Sequence, residues 1–340
     1  MTKHGILALG LCAICLAASL RPARAQGVAD FYRGRTVTVV IGFSVGGGYD
    51  LYARLLARHL GRHIPGEPNV VPQNREGAGS ERAVLYLYNA APKDGTVIGT
   101  FSRSMAVAPL LDKAPFDATR FSWLGSISRD VSVCMTWHTS PIKTFDDMLA
   151  KPFTMGGLGK EADPDIFAMV LRNVFGAKLK LVSGYPGTND ATLAMERGEV
   201  NGVCGISWST VKARHMDWIK ASTVNLPVQF GLSREADIPD VPAVIDLVKG
   251  DEQTRMVRVI LAGQAMARPY VAPPGIPADR RDALVAGFAA TLKDPAFLAD
   301  AQKLQVDVEP VTAAEIETLL AEVYATPKDI IAKAAKAIAN

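Results

Sequence analysis

Apolar positions in this chain fall into short blocks separated by glycine-rich loops. Thr36 to Ile41 is a β-branched run, the pattern of a strand covered on both faces in a parallel sheet. Gly46-Gly47-Gly48 follows, and then Leu51, Leu55, Leu56 and Leu60 recur at helical spacing behind Asp50, which stands where an N-cap belongs. The unit is strand, glycine loop, helix, and it repeats. Asn69-Val70-Val71 is a short strand, the loop 74–80 carries Gly77 and Gly79, and a helix runs from about Glu81 to Ala90. Pro92-Lys93-Asp94-Gly95 then turns the chain into a strand over Thr96 to Phe101. Such alternation predicts a doubly wound α/β sheet with its ligand site at the carboxyl ends of the strands. The loops 42–50, 74–80 and 101–105 lie at those ends.

A second block opens near Ser126. Val131 to Trp137 reads as a strand, Thr144 opens a helix at about 145–150, and Phe153-Thr154-Met155 runs into Gly156-Gly157-Leu158-Gly159. A helix over 164–175 places Phe167, Val170, Leu171 and Val174 on one side. A strand at 180–182, a turn at Gly184-Tyr185-Pro186-Gly187, a helix over 188–197 and a strand from Gly202 to Ile206 follow. Val257, Val259, Ile260 and Leu261 read as a return strand, and helices at roughly 279–293, 295–303 and 313–336 close the chain. The expected architecture is α/β with two lobes, each a mainly parallel sheet flanked by helices. Residues 26–126 plus 262–340 form the first lobe and 127–261 the second, so the chain crosses between lobes twice.

The N-terminus changes the charge balance. Gly5 to Leu20 is an apolar run behind Lys3 and His4, and Ala23-Arg24-Ala25 offers the small-x-small pattern of signal peptidase sites. Residues 1–25 read as an export leader cleaved after Ala25. Cys12 and Cys15 lie inside the apolar run, and no cysteine follows the cut, which argues against a lipid anchor. Cleavage removes Lys3, Arg21 and Arg24, taking the 37 basic residues to 34 against 34 acidic ones. A neutral protein has no global field to draw it onto nucleic acid or anionic lipid. Two cysteines remain, Cys134 and Cys204. In an oxidising compartment they form one disulfide, or they stay as two buried thiols in adjacent strands.

Seven stretches, in order, resemble one family, the periplasmic receptors of tripartite tricarboxylate transporters, also called Bug-type solute-binding proteins. They are Ile41-Gly42-Phe43 with Gly46-Gly47 and Asp50, Asn74-Arg75 with Gly77-Ala78-Gly79, Ala91 to Thr96, Gly184 to Gly187, Gly198-Glu199-Val200, Ile238 to Pro242 and Ala272 to Pro277. The resemblance implies a Venus-flytrap protein of the periplasm closing on a small carboxylate, with membrane transporter subunits as partners. A monomer without cofactor is expected. The sequence departs from the family in the second-lobe loop, where relatives often carry hydroxyls and this chain has Lys160-Glu161-Ala162-Asp163.

A carboxylate stripped of water needs several donors, and glycine loops before helix N-termini supply them. In the first lobe the candidates are Phe43, Ser44, Gly46, Gly47, Gly48, Tyr49 and Asp50, then Ser102, Arg103 and Ser104. Arg103 either grips a carboxylate in bidentate fashion or stays a solvated surface residue. In the second lobe they are Gly157, Gly159, Lys160 and Asp163, then Tyr185, Thr188 and Asn189, and finally Ser207 and Trp208. Trp208 walls the cleft or belongs to the core. Asp163 caps its helix, pairs with Lys160, or selects a cationic or hydroxyl group on the ligand.

An enzyme is the competing class. Gly42-Phe43-Ser44-Val45-Gly46 matches the G-x-S-x-G nucleophile elbow between a strand and a helix, with His138 or His215 as the base of a secreted serine hydrolase. Its position after the first strand, the lack of an oxyanion loop before it and the delay of the helix by Gly47 and Gly48 weigh against it. Gly46-x-Gly48 lacks the third glycine of a dinucleotide fingerprint. His59 and His63 are four apart with no third ligand evident, so surface histidines are expected in place of zinc.

Overall fold

The computed structural model describes residues 27–340, and the leader read over residues 1–25 lies outside them. The chain begins with α1 (Val28–Tyr32), β1 (Thr36–Ile41), α2 (Gly48–Leu60), β2 (Asn69–Asn74), α3 (Glu81–Leu85), β3 (Val97–Thr100), α4 (Ala108–Leu111) and β4 (Ser122–Ser126). It continues with β5 (Ser132–Trp137), α5 (Phe145–Ala150), β6 (Phe153–Gly156), α6 (Asp163–Phe175), β7 (Leu179–Val182), α7 (Thr188–Glu196) and β8 (Gly202–Ser207). Next come α8 (Trp208–Arg214), α9 (Met216–Lys220), β9 (Val224–Phe230), α10 (Val244–Leu247) and α11 (Gly250–Leu261). The return comprises β10 (Pro269–Ala272), α12 (Ala278–Thr291), α13 (Pro295–Lys303), β11 (Val311–Thr312), α14 (Ala313–Tyr324) and α15 (Lys328–Ile338).

The strands form two sheets, one per lobe, in the orders β11-β4-β10-β3-β1-β2 and β7-β6-β8-β5-β9. Helices cover both faces of each. On the first sheet, α2, α12 and α13 bury Leu55, Leu56, Leu284 and Phe297 against Val37, Val39 and Ile41. Val40 faces the other way, towards Val84, Leu87 and Leu320. This two-sided burial explains the β-branched run of β1. On the second sheet, α6 stacks Phe167 on Phe230 of β9 at 4.3 Å. Gly176, at φ 77°, ends α6 in the left-handed conformation.

The sheets are more mixed than expected. The pairs β1–β2, β1–β3, β6–β7 and β6–β8 are parallel. Strands β10 and β5 enter the sheets antiparallel, because each begins where the chain has just crossed from the other lobe. The expected return strand over Val257–Leu261 is helix α11. Its apolar residues Val257, Ile260 and Leu261 are spaced three and four apart and all are buried, a helical stripe that the β-branched content obscures. The return strand is β10. The long terminal helix breaks into α14 and α15 at Pro327, the N-cap of α15. The tail does pack on the first sheet through α12 to α14, but α15 departs from that expectation and lies against α6 and α11.

Cys134 and Cys204 are joined as a disulfide between neighbouring strands β5 and β8. Among the described residues no helix is long and apolar enough to cross a membrane.

Candidate functional site

Where the two lobes face each other, the carboxyl ends of β1 and β3 deliver two loops to a cavity. The loop after β1 is fixed by Asp50, which accepts from the Gly46 N–H at 3.0 Å, Arg54 Nε at 2.9 Å and Asn74 Nδ2 at 2.9 Å. Burial alone would raise the Asp50 pKa, but Arg54, the Gly46 amide and Asn74 more than offset it and hold the carboxyl below its usual range. Asp50 and Gly46 are therefore a brace behind the wall. The wall is made of Phe43, Gly47, Gly48 and Tyr49, with the Phe43 and Tyr49 rings stacked at 4.7 Å. After β3, Ser102 and Arg103 line the cavity. The Arg103 N–H donates to the Tyr49 hydroxyl at 3.0 Å, and the Ser102 and Ser104 hydroxyls bond to each other at 2.6 Å.

The second lobe contributes Leu158, Ala162 and Asp163, then Thr188, and finally Gly205 to Ser207 with Thr210. Gly205 has φ 73°, and a Cβ there would lie 2.6 Å from the Pro164 nitrogen, so glycine alone admits the start of α6. Helix α7 begins at Thr188 and α2 at Gly48, and no side chain caps either. A Cβ at Gly47 would lie 3.3 Å from Thr188 Oγ1. Two helix N-termini, with their first amides free of side-chain caps, thus approach each other across the cavity.

Two buried arginines join the lobes. Arg103 Nε donates to Asp163 Oδ2 at 2.6 Å and Nη2 to Ser132 Oγ at 2.5 Å, while Nη1 has no partner although the residue is 1 % exposed. Burial alone would lower the Arg103 pKa, but Asp163, with Tyr49 and Asp130, more than offsets it and holds the guanidinium above its usual range. Gln264 Nε2 adds a second bond to Asp163 Oδ2 at 3.1 Å. Sequence reasoning missed Arg268. Its Nη1 donates to Ser207 Oγ at 3.0 Å and its Nη2 to Thr210 Oγ1 at 2.9 Å. The guanidinium carbon lies 4.9 Å from both the Tyr49 and the Tyr52 ring centres, and Asp130 stands 3.8 Å behind it. Because the Ser207 and Thr210 oxygens accept from Arg268, their own hydrogens are free to donate elsewhere. Nothing in the sequence pattern marked Arg268, because the strand it precedes, β10 (Pro269–Ala272), was itself not expected there.

The lobes stand closed on a cavity of about 30 Å³, room for about two waters. Closure is backbone against backbone at Gly79 and Gly159, where a Cβ on Gly159 would lie 2.5 Å from the Gly79 nitrogen. Ser44 Oγ donates across the gap to Asp190 Oδ2 at 2.6 Å, and the Ser104 hydroxyl donates to the Glu161 carbonyl.

Other expected site residues lie elsewhere. The Gly157 N–H donates to the Val182 carbonyl and the Gly159 N–H to Asp165 Oδ2, both at 2.9 Å. Their donors are thus consumed within the lobe, which a glycine pattern cannot reveal. Lys160 points outward to Asp112 at 2.6 Å, so Asp163 pairs with Arg103 and not with Lys160. Tyr185 packs beside the second core, Asn189 is exposed near Gly46, and Trp208 is a core residue whose Nε1 donates to Asp237 at 3.0 Å.

The hydrolase geometry does not form. Ser44 is hydrogen-bonded to an aspartate, and its φ is not among the positive ones of the described residues. His138 is exposed, and His215 stacks on Trp218 at 4.2 Å with its pKa lowered by burial to about 4. His59 and His63 do not share a ligand position. His59 is buried and lies 3.0 Å from Asp300, and His63 lies 2.8 Å from Asp294.

Two mixed sheets flanked by helices and closing on a central cavity define a two-lobed, Venus-flytrap binding protein. The chain belongs to the tripartite tricarboxylate transporter receptor family, whose pattern it matches over residues 53–335. It is 27 % identical over 295 residues to a UPF0065 protein of Agrobacterium vitis, covering 83 % of this chain and 78 % of that one. It is 24 % identical over 261 residues to a UPF0065 protein of Cupriavidus necator, covering 74 % and 76 %. Among solved structures it is similar to the periplasmic binding protein BugD, with TM-score 0.69 and 23 % identity over 89 % of this chain and 96 % of that one. It is also similar to MatC of Rhodopseudomonas palustris with bound malate, with TM-score 0.70 and 20 % identity over 87 % and 99 %. A third, an adipate-bound protein of R. palustris, gives TM-score 0.67 and 19 % identity over 88 % and 97 %.

Proposed function

We propose that this chain is a periplasmic receptor that captures a small organic carboxylate between its lobes and delivers it to the membrane subunits of a tripartite tricarboxylate-type transporter. It acts as a monomer, without catalysis or cofactor, once the leader is removed after Ala25. The observation that carries the reading is the meeting of two uncapped helix N-termini, of α2 and α7, beside a buried arginine with a free donor. Amides at helix starts favour an anion without bringing a counter-charge of their own, so they hold a carboxylate that can still be released. The malate and adipate held by two of the similar structures agree with this chemistry.

Of the described residues, the first lobe comprises 27–126 with the return after 261, and the second comprises 127–261 with α15 packed on it. Contacts from both lobes to one ligand shift the hinge equilibrium towards the closed form. A thermal-shift screen of the mature chain against organic acids tests the proposal. Ligand at a hundred times its Kd adds about 2.7 kcal/mol, and small-angle scattering should show compaction with the same ligand. A panel of acids that neither stabilises nor compacts the protein refutes it.

A further inference from the structure

We propose that the cleft selects acids with a single carboxylate and a neighbouring hydrogen-bond donor, and that Asp163 is the residue that turns di- and tricarboxylates away. The inference rests on the carboxylate-receptor reading and narrows it.

The buried charges at the cavity already balance. Arg103 has Asp163 at 2.6 Å and Arg268 has Asp130 at 3.8 Å, and the side chains of both arginines are 2 % exposed. No unpaired cation remains on the lining for a polyanion. What remains is the pair of helix starts, each worth about half a positive charge, together about enough for one carboxylate. Arg103 Nη1, buried and without a partner, is a further donor to that group. A second carboxylate in the closed cavity would face the Asp163 carboxylate with nothing to neutralise it, and like charges in a poorly screened site repel strongly. Both hydrogen bonds to Asp163 fall on Oδ2, which leaves Oδ1 to accept from the ligand. A hydroxyl or a protonated amine beside the carboxylate supplies that donor.

The test uses the mature chain and Asp163→Asn, which keeps the side-chain shape and removes the charge. Titration calorimetry with lactate, alanine, propionate, succinate, malate and citrate reads the order of affinities. Wild type should bind lactate or alanine at least about tenfold tighter than succinate or malate, and tighter than propionate. The lactate and alanine arms distinguish a hydroxyl from an amine. Asp163→Asn frees Arg103 and should move the ratio about tenfold or more towards the dicarboxylates. Tighter dicarboxylate binding by wild type, or an order unchanged in the variant, overturns the inference and leaves the receptor reading intact. Silence with every acid overturns both. If the asparagine variant does not fold, Asp163→Ser and the wild-type order decide.

Discussion

Gly48→Ala should separate closing of the lobes from stability of the fold. Gly48 is the first residue of α2, and its φ is outside the left-handed range, so alanine fits its backbone. Gly-to-Ala changes at compatible positions typically stabilise by about 0.4–1 kcal/mol, chiefly through the unfolded chain. In the closed form, however, the new Cβ would lie 2.3 Å from Thr210 Oγ1 and 3.0 Å from Arg268 Nη2. Thr210 belongs to the other lobe, and Arg268 is held by the hydroxyls of Ser207, Ser209 and Thr210 and by the Tyr49 and Tyr52 rings, so neither gives way freely. Overpacking of this kind costs about 1–3 kcal/mol, and the larger clash, with Thr210 across the cleft, falls on the closed state alone. The expected result is an unchanged or slightly higher unfolding midpoint in urea without ligand, and affinity weakened about 5- to 150-fold by calorimetry. Adding Thr210→Ala should recover part of the loss, since the Thr210 Cβ itself is at an ordinary 3.5 Å. Wild-type affinity in Gly48→Ala, or a destabilised ligand-free protein, refutes the reasoning.

Other consequences can be checked directly. Arg268→Met should destabilise by about 3–5 kcal/mol in urea, because Asp130 would stay buried without a counter-charge, keeping only its Ser209 and Val131 donors, and the Ser207 and Thr210 hydroxyls would lose theirs. An unchanged midpoint shows that the pair is not needed. Reduction, or Cys134→Ser with Cys204→Ser, opens a crosslink spanning 70 residues. The chain-entropy estimate is about 4 kcal/mol, visible as a lower thermal midpoint than that of the oxidised wild type in either case. Asp50 has a lowered folded pKa, so its contribution is present above the unfolded value of about 3.9 and lost as pH falls through the folded value. Acid unfolding below about pH 4 should therefore be less steep in Asp50→Asn than in wild type.

Patterns of one lobe were legible where the chain is parallel and local. The β-branched run of β1, the glycines before α2 and the apolar stripes of α2 and α6 needed only neighbouring residues to be read. Strand β9 and helix α11 were not legible. The first has Pro227 within it and the second is rich in valine and isoleucine, so propensity pointed away from both. The site divided in the same way. Looking at the carboxyl ends of strands found Gly47, Arg103 and Ser207, which line the cavity. The same rule overlooked Arg268 and Ser132, because β10 and β5 run antiparallel and present their beginnings at the same edge. Gly157 and Gly159 had the right pattern, but only packing shows that Val182 and Asp165 already occupy their amides.

The placement of α15 has a consequence for the order in which the molecule can be made. The first sheet lacks two of its strands until residues 269–312 have appeared, since β10 and β11 belong to it. The second core lacks Ile330, Ala334 and Ala337 until almost the last residue. Neither half can seal its interior early, and a chain emerging from its N-terminus stays loose until its final helix is available. Under the export proposed above, such deferred completion would hold the tertiary structure back until the far side of the membrane is reached.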